Sequence, residues 1–349
     1  MATIGLIPGD GIGREVVREA RRVLEACAEA EGLELDLVEW DLGAERYLRE
    51  RVTITEEEFG RLADEHDALL LGALGDPRVP GNEHARDILL GLRFRLDLYV
   101  NFRPCVLLAP ELSPLKRVSG PVDLEIFREN TEGAYAGMGG TFKMGTPHEV
   151  AIEEDVNTRL GVERIVRAAF EHARARGRSR VTLVDKANAM RHAGGLWRRV
   201  FAEVGAEFAD IERDAMFVDA MAMDLVRRPE RYAVIVASNL FGDIISDLAA
   251  ELTGGLGLAP SANLHPGRHA LFEPVHGSAP DIAGMGRANP LGAIRCAGLL
   301  LDHLGHVEVG ARVERAAAES IAAGITTPDL GGTATTEQVG TWIAKRLDG

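Results

Sequence analysis

Lysine is scarce in this chain of 349 residues, which contains 4 lysines and 35 arginines. A guanidinium keeps its proton at neutral pH, whereas an ammonium can lose one. A lysine retained in such an arginine-rich sequence is therefore a candidate for a role that requires proton loss. The four candidates are Lys116, Lys143, Lys186 and Lys345.

Cysteine is also scarce, and long apolar runs are absent. Cys27, Cys105 and Cys296 are far apart, which excludes a disulfide framework and predicts a reducing, cytoplasmic location. Pro8 and Gly9 interrupt the first apolar run, and no run reaches the roughly 20 apolar residues of a membrane span. We therefore expect no signal peptide and no membrane partner.

Positive charge is in deficit overall, with a net charge of −15. This balance argues against nucleic acid and anionic membrane surfaces as partners, but local arginines can still bind a small anion. The length and the hydrophobic fraction of 46% suit two domains or one large α/β unit.

Apolar segments alternate between strand-like and helix-like patterns through most of the chain. "ATIGLI" and "HDALLLGAL" are typical of buried parallel strands, and "GREVVREARRVLEACAEAEG" is typical of an amphipathic helix. Residues 120–155 are glycine-rich and alternating, which predicts hairpins. Alternating helices and strands return beyond this stretch, so the sequence predicts an α/β fold.

The segment "SNLFGDIISDLAAE" follows the buried strand pattern "YAVIVA". Ser238 and Asn239 are suitable N-cap residues, so a helix is expected to begin there. Asp243 and Asp247 then lie four residues apart on one helical face, where like charges repel unless a cation lies between them. Asp219, among apolar residues, also needs a partner or a metal. Oxygen ligands favour Mg²⁺ or Mn²⁺, and a solvated acidic face is the alternative.

Three arginines lie in or at the end of predicted helices and strands, and together they suit a binding site for an anion. Arg93 ends a helix, while Arg103 and Arg128 lie in extended segments. A guanidinium pairs with a carboxylate through two parallel hydrogen bonds, so these arginines together suit a dicarboxylate. Each taken alone is more simply a surface arginine.

Lys186 is a candidate base, and Tyr135 is singled out with it because tyrosine is scarce and Tyr135 follows a turn near Arg128. Lys186 ends a predicted strand, where side chains of α/β folds point into clefts. Beside a metal and several arginines its pKa would fall toward neutrality, so that it could act as a base.

The irregular segment 271–290 is the candidate nucleotide loop, because long irregular loops are usually functional. Its backbone amides and His276 suit a nucleotide, and Asp281 can accept from ribose hydroxyls. "LIPGDGIGREV" near the N-terminus is a weaker candidate, because its glycines follow a G-x-G-x-G spacing and no acidic residue follows a second strand as the Rossmann fingerprint requires.

The chain as a whole resembles the β-decarboxylating dehydrogenases of (R)-malate-type substrates, which include isocitrate, 3-isopropylmalate, homoisocitrate and tartrate/D-malate dehydrogenases. The matching motifs, in the order in which the family has them, are "GDGIG", "LRFRLDLYVNFRP", "RENTEGAY", "DKAN", "VDAMAM", "NLFGDIISDLAA" and "EPVHGSAPDIAGMGRANP".

This resemblance implies a role for each matching residue. Arg93, Arg103 and Arg128 would bind the malate carboxylates. Lys186 would accept the hydroxyl proton as hydride leaves C2, and Tyr135 would protonate the enol carbon after CO₂ departs. Asp219, Asp243 and Asp247 would hold Mg²⁺ or Mn²⁺, and Asp219 would also contact the substrate. The cofactor-binding residues would be Ile12, Asn188, Glu273, His276, Gly277, Ser278, Ala279, Asp281, Ile282 and Asn289.

The resemblance also implies the architecture and the assembly. The expected fold is an isopropylmalate dehydrogenase-like α/β fold, not a Rossmann fold, with a mixed parallel and antiparallel sheet and two domains around an active-site cleft. Residues 1–98 with 251–349 would form the cofactor-side domain, and 99–250 the substrate and dimerisation domain. A hairpin clasp near 135–155 would join a homodimer in which Lys186 and Asp219 come from the partner subunit.

The cofactor implied is NAD. Asp281 matches the family's acidic residue at the adenosine ribose, which accepts from a 2′-hydroxyl and repels a 2′-phosphate. Ile282 follows it, where the NADP-using isocitrate enzymes carry a basic and aromatic pair. Ile12 of the "GDGIG" turn would then border the nicotinamide.

The substrate depends on the helix before Arg93, where Leu89 and Leu90 suit an isopropyl group. This predicts NAD-dependent oxidative decarboxylation of 3-isopropylmalate to 4-methyl-2-oxopentanoate and CO₂, as in leucine biosynthesis. D-malate or tartrate is the first alternative and homoisocitrate the second, since Arg86 departs from the glutamate of many isopropylmalate enzymes. A non-catalytic regulatory subunit is disfavoured, because Tyr135, Lys186 and the three aspartates are all present.

Overall fold

The structure, a computed structural model, describes residues 1–348 and divides the chain into two compact units. The first unit contains Met1–Leu98, Leu107–Lys116 and the chain from Ala250 onward. The second contains Tyr99–Val106 and Arg117–Ala249. The predicted division differs at 107–116, which packs with the first unit because Leu112 lies against Gly254. A Cβ placed on Gly254 would come within 3.2 Å of Leu112 Cβ.

The strands within residues 1–348 are short, and most are buried. In chain order they are β1 (Ala2–Gly9), β2 (Leu35–Glu39), β3 (Ala68–Ala73), β4 (Val100–Val106), β5 (Asp123–Glu129), β6 (Gly139–Phe142), β7 (Val150–Glu153), β8 (Arg180–Asp185), β9 (Glu212–Phe217), β10 (Val234–Ala237), β11 (Pro260–His265) and β12 (His269–Pro274).

The α-helices of the same described range alternate with these strands. They are α1 (Gly13–Glu31), α2 (Ala44–Glu50), α3 (Glu56–Asp64), α4 (Glu83–Ala85), α5 (Gly91–Arg95), α6 (Arg159–Ala175), α7 (Arg191–Gly205), α8 (Val218–Arg227), α9 (Asn239–Leu252), α10 (Leu291–His303), α11 (Val307–Ala322) and α12 (Thr336–Leu347). A π-helical turn, Arg86–Leu90, joins α4 to α5.

The strands of the first unit lie side by side in the order β2-β1-β3-β12-β11. β1 pairs in parallel with β2 and β3, β12 pairs in parallel with β3, and β11 pairs antiparallel with β12. Every residue of β3 is buried, as its unbroken apolar run predicts for a strand covered on both faces. The amphipathic helix α1 packs against α10 and α12.

The main strands of the second unit lie side by side in the order β4-β5-β10-β8-β9. β4 and β5 are antiparallel, whereas β10 is parallel to β5 and β8, and β8 is parallel to β9. The strands of both units therefore combine parallel and antiparallel pairs, which confirms the predicted fold class. Helix α6 begins where the Thr158 side chain accepts a hydrogen bond from the Gly161 amide, and it packs against α7.

The glycine-rich stretch 120–155 is only partly hairpin. β6 and β7 form an exposed antiparallel hairpin, as predicted. β5 is an internal strand, since it pairs antiparallel with β4 on one side and in parallel with β10 on the other. Its residues are accordingly almost all buried. None of the helices between residues 1 and 348 combines the length and the apolar character that a membrane crossing requires.

Candidate active site

Helix α9 presents the two predicted metal-binding aspartates of the second unit. It begins at Asn239, directly after strand β10 and Ser238, as predicted. The Gly242 amide donates to the Ser238 carbonyl at 2.8 Å and closes the first turn. Asp243 and Asp247 follow at the i and i+4 positions of one face, so their carboxylates lie close together.

Two buried arginines neutralise this pair of carboxylates. Arg128 Nη1 lies 2.6 Å from Asp243 Oδ1, and Arg103 Nη2 lies 3.3 Å from the same oxygen. Arg103 Nη1 lies 3.0 Å from Asp247 Oδ1. Arg103 and Arg128 come from the antiparallel strands β4 and β5, whose register brings them to one place. Both arginines are buried, which excludes the alternative that each is simply a surface arginine.

Arg128 is the most firmly held residue of the cluster. Its Nε donates to the Asn239 carbonyl at 2.9 Å and to Asn239 Oδ1 at 3.0 Å, and its Nη2 donates to the same Oδ1 at 2.7 Å. Gly242 permits this approach, since a Cβ there would come within 2.7 Å of Arg128 Cβ. The sequence offered no sign that Asn239, a capping candidate, also binds an arginine.

Tyr135 joins the same cluster from the short turn Ala134–Ala136. Its hydroxyl donates to Asp243 Oδ2 at 2.9 Å, and the Arg128 guanidinium carbon lies 5.0 Å from its ring centroid. Burial and the neighbouring Asp243 raise the pKa of Tyr135, so the phenol stays protonated and able to donate. We refer to Arg103, Arg128, Tyr135, Asp243 and Asp247 as the carboxylate cluster.

The donor set of the carboxylate cluster fits a hard divalent cation. The pKa of Asp247 is raised above its usual value, chiefly by burial, although Arg103 lowers it in part; the negative charge of Asp243 also raises it. A cation between the two carboxylates would remove the repulsion that adds to this cost. The Asp247 side chain remains about half exposed, with 51% of its surface accessible, so its oxygens can be reached from solvent. Oxygen-only donors suit Mg²⁺ or Mn²⁺.

Lys186 and Asp219 form a separate ion pair in the second unit. Lys186 follows β8, Asp219 lies in the first turn of α8, and Lys186 Nζ is 2.5 Å from Asp219 Oδ1. The Lys186 hydrogen bond lowers the pKa of Asp219.

This pair bears on the expectations for both residues. The Asp219 side chain is largely exposed, and Lys186 is the partner that its carboxylate was expected to need. Within its own chain Lys186 donates to Asp219, and its place beside a metal and arginines stays a prediction for the dimer. Within residues 1–348 of a single chain, no three His, Cys, Asp or Glu side chains form a group that could hold a metal. A single chain therefore does not bring Asp219 together with Asp243 and Asp247 as one ligand set.

Arg93 is buried in the first unit and is also paired. Its Nη2 lies 2.6 Å from Glu273 Oε1 on β12, and Asn263 Nδ2 donates to the same oxygen at 2.8 Å. Glu273, predicted to contact the cofactor, is thus the counter-ion of Arg93. The sequence did not link these two residues, because they are far apart along the chain.

The two leucines before Arg93 are both half-buried. Leu89 packs against the hydrophobic core cluster that contains Ile88 and Leu92, and Leu90 ends the π-helical turn. Their contact with the substrate stays a prediction. Arg86 is exposed.

The "GDGIG" turn lies against the predicted nucleotide loop, which we call the cofactor segment (residues 273–289). The Ile12 amide donates to the Ser278 carbonyl at 2.9 Å. A Cβ on Gly11 would lie 2.0 Å from that carbonyl oxygen, so only glycine fits there. Ile12 itself is buried, with 5% of its surface exposed. Ala279 has a φ of +36°, a strained backbone next to this contact.

The rest of the cofactor segment is fixed by side chains from outside it. Glu15, in the first turn of α1, accepts hydrogen bonds from the amides of Gly284 and Gly286. Asn289 donates to Asp329 Oδ2 at 2.9 Å. His276 Nδ1 lies 3.0 Å from the Gly277 carbonyl oxygen, and burial lowers the pKa of His276. Within the segment, Gly277, Asp281 and Ile282 are at least partly exposed; Asn188, in the second unit, is exposed in the turn before α7.

Two residues of the first unit were missed by the sequence analysis. Asp10 and His84 are buried, and His84 Nε2 lies 2.7 Å from Asp10 Oδ2. A carboxylate between two glycines of a tight turn was a usable signal for Asp10. Nothing in the sequence pattern marks His84.

The chain thus has two units that each combine parallel and antiparallel strands. The second unit contains the carboxylate cluster, and the first contains the cofactor segment. These features correspond to a known family. The family model described as "Isocitrate/isopropylmalate dehydrogenase" matches residues 3–343, and the chain belongs to this family of decarboxylating dehydrogenases.

Individual proteins are also similar to this chain over most of its length. The 3-isopropylmalate dehydrogenase of Thermobifida fusca is 47% identical, with 99% of this chain and 97% of that protein covered. The 3-isopropylmalate dehydrogenase of Beutenbergia cavernae is 49% identical over 91% and 92% of the two chains. Among solved structures, isocitrate dehydrogenase from Methylococcus capsulatus has a TM-score of 0.90 and 39% identity, with both chains fully covered.

Proposed function

We propose that this chain catalyses the NAD-dependent oxidative decarboxylation of 3-isopropylmalate to 4-methyl-2-oxopentanoate and CO₂, a step of leucine biosynthesis. The observation that carries the proposal is the near-full-length similarity to proteins named 3-isopropylmalate dehydrogenase. The half-buried Leu90, one helical turn before Arg93, supports an apolar substituent on the substrate.

The arginines and aspartates have complementary tasks in this proposal. Arg93, Arg103 and Arg128 bind the two malate carboxylates, and their burial in the protein strengthens each charge-assisted hydrogen bond. Asp243 and Asp247 hold the divalent cation, with the partner subunit's Asp219 as the third carboxylate. When bound, Mg²⁺ or Mn²⁺ draws electron density from the substrate oxygens, and NAD accepts a hydride.

Lys186 and Tyr135 supply the proton transfers. Lys186 accepts the C2 hydroxyl proton while hydride leaves C2, which yields a ketone. The C–C bond to the β-carboxylate then breaks, CO₂ leaves, and the electron pair remains as an enolate. Tyr135 donates the proton that converts the enol carbon to the product, consistent with a phenol whose pKa is raised above its usual value.

NAD is the proposed dinucleotide because Asp281 is exposed on the cofactor segment. Its carboxylate is suited to accept from a ribose 2′-hydroxyl and repels a 2′-phosphate. We expect NADP to be a poor substitute for the same reason.

A homodimer completes the proposed site. The second unit exposes large apolar side chains on its hairpin and on helices α8 and α9 in the single chain, which is typical of a surface covered by another protein. These residues are Phe142, Met144, Val150, Ile152, Met223, Val226, Leu240 and Ile244. A second copy of the chain bound there would supply Lys186 and Asp219 to the first.

The test is the rate of NADH or NADPH formation with three substrates, namely 3-isopropylmalate, D-malate and homoisocitrate, each with NAD and with NADP. We expect the highest kcat/KM for 3-isopropylmalate with NAD. Activity should disappear with EDTA and return with Mg²⁺ or Mn²⁺. A higher kcat/KM for D-malate or homoisocitrate would contradict the proposed substrate, and equal use of NADP would contradict the role of Asp281.

Replacing Leu90 with alanine tests the substrate pocket separately. Removal of three carbons from a contact with the isopropyl group should lower kcat/KM for 3-isopropylmalate by about 10-fold, with little change for D-malate. Leu89→Ala is the matched control, since Leu89 packs against the core. It should lower the unfolding free energy by about 2 kcal/mol or more and leave the preference between the two substrates unchanged. If Leu89→Ala changed that preference and Leu90→Ala did not, Leu89 and not Leu90 would be the residue that contacts the isopropyl group.

A further inference from the structure

The buried carboxylate of Asp10 connects its own turn to three other segments of the first unit. Its Oδ1 accepts from the Ala44 amide at 2.6 Å, at the beginning of α2. Its Oδ2 accepts from the Gly75 amide at 2.8 Å and from His84 Nε2 at 2.7 Å. The "GDGIG" turn, the beginning of α2, the loop after β3 and helix α4 are thus held by one side chain, which is only 3% exposed.

His84 is the partner that distinguishes this arrangement from an ordinary turn. It is fully buried and lies face to face with Tyr47, with ring centroids 6.0 Å apart. Its Nδ1 is buried without a hydrogen-bond partner. The imidazole therefore donates through Nε2 to Asp10, since a second buried N–H at Nδ1 would have no acceptor.

The loop that Asp10 holds lies directly against the cofactor segment. Gly75 has a φ of +138°, and a Cβ there would come within 3.4 Å of Ser278 Oγ. Gly11, next to Asp10 in sequence, contacts the Ser278 carbonyl. A cavity of about 410 Å³ lies beside this contact, lined by Asp10, Gly11 and Gly75 together with Pro280, Ala283 and Gly284 of the segment.

We propose that Asp10 and His84 are positioning residues that set the affinity for the dinucleotide by fixing the Gly75 loop against Ser278. Neither residue touches the substrate carboxylates or transfers a proton in the reaction. The inference rests on the proposed use of NAD, but not on the identity of the hydroxy acid. Loss of the His84 donor leaves Asp10 with one hydrogen bond fewer and frees the loop to move away from the segment.

The test is the Kd of NADH, measured by fluorescence titration of the full-length protein without substrate. His84→Leu, which removes the donor, should raise Kd roughly 10-fold, equivalent to the loss of one hydrogen bond to a charged group. His84→Gln keeps a side-chain N–H donor and should restore most of the affinity. Asp10→Asn, which cannot accept all three hydrogen bonds, should raise Kd at least as much as His84→Leu.

Glu19→Gln provides the matched control, because Glu19 is another buried carboxylate of the first unit and is paired with Arg18 and Arg22 on α1. This variant should lose thermal stability but bind NADH with the wild-type Kd. The inference is overturned if His84→Leu and Asp10→Asn are less stable and still bind NADH as the wild type does. A preference for another hydroxy acid would contradict the proposed substrate and leave the binding result intact.

Discussion

Replacing Lys186 with alanine is expected to lower kcat by about 1,000-fold, within the range typical of a lost general base. The substrate hydroxyl would then have no proton acceptor at the moment when hydride leaves C2. The KM for NAD should change little, because the side chain of Lys186 is assigned to the substrate hydroxyl and is paired with Asp219. Steady-state NADH formation with saturating 3-isopropylmalate, NAD and Mg²⁺ measures this loss.

Lys186→Arg separates proton transfer from charge. An arginine keeps the ion pair with Asp219 but does not give up its proton at neutral pH, so we expect a loss similar to that of the alanine variant. Lys345→Ala, on the exposed side of α12, is the control and should retain normal turnover. Substantial activity in Lys186→Arg would show that the charge matters and that another group accepts the proton.

Replacing Arg128 with glutamine is expected to reduce both stability and activity. Arg128 is 2% exposed and binds Asp243 as well as Asn239. Removing the buried guanidinium leaves the partly buried Asp243 and the Asn239 oxygens without their charged donor, which should cost about 2 kcal/mol of unfolding free energy or more. The same change removes a bidentate partner for the substrate, so kcat/KM should fall by at least about 100-fold. Urea unfolding and steady-state kinetics measure the two effects.

Arg128→Lys and Arg167→Gln provide the comparisons. Lysine keeps the charge but cannot reach Asn239 and Asp243 at once, so its effects should lie between those of wild type and Arg128→Gln. Arg167 pairs with Glu207 at the surface of the same unit, and its loss should cost less than about 1 kcal/mol. Equal destabilisation by Arg128→Gln and Arg167→Gln would contradict the importance assigned to burial.

The strands and helices follow closely from local sequence patterns. The buried run of β3, the amphipathic face of α1 and the beginning of α9 at Asn239 all lie where periodicity and capping predicted them. Such features depend on neighbouring residues along the chain. The position of β5 does not, because a glycine-rich alternating stretch is compatible with both a hairpin and an internal strand.

The chemical types of the candidate site were also readable from the sequence, but its pairings were not. Asp243 and Asp247 are neighbours because helical geometry makes them so. Their partners Arg103 and Arg128 arrive from two strands whose register is set by the sheet. The Arg93–Glu273 pair joins residues 180 positions apart along the chain. No periodicity connects residues at that separation.

The sequence by itself therefore determined the fold class, the family resemblance and the kinds of side chain available for an oxidative decarboxylation. The tertiary structure decided which charges are paired, that Asp219 is exposed beside Lys186, and that Leu89 packs against the core of the first unit. It also revealed the Asp10–His84 pair. The physical reason is that hydrogen bonding and burial depend on distances across the fold, whereas propensity and periodicity record only the chain near each residue.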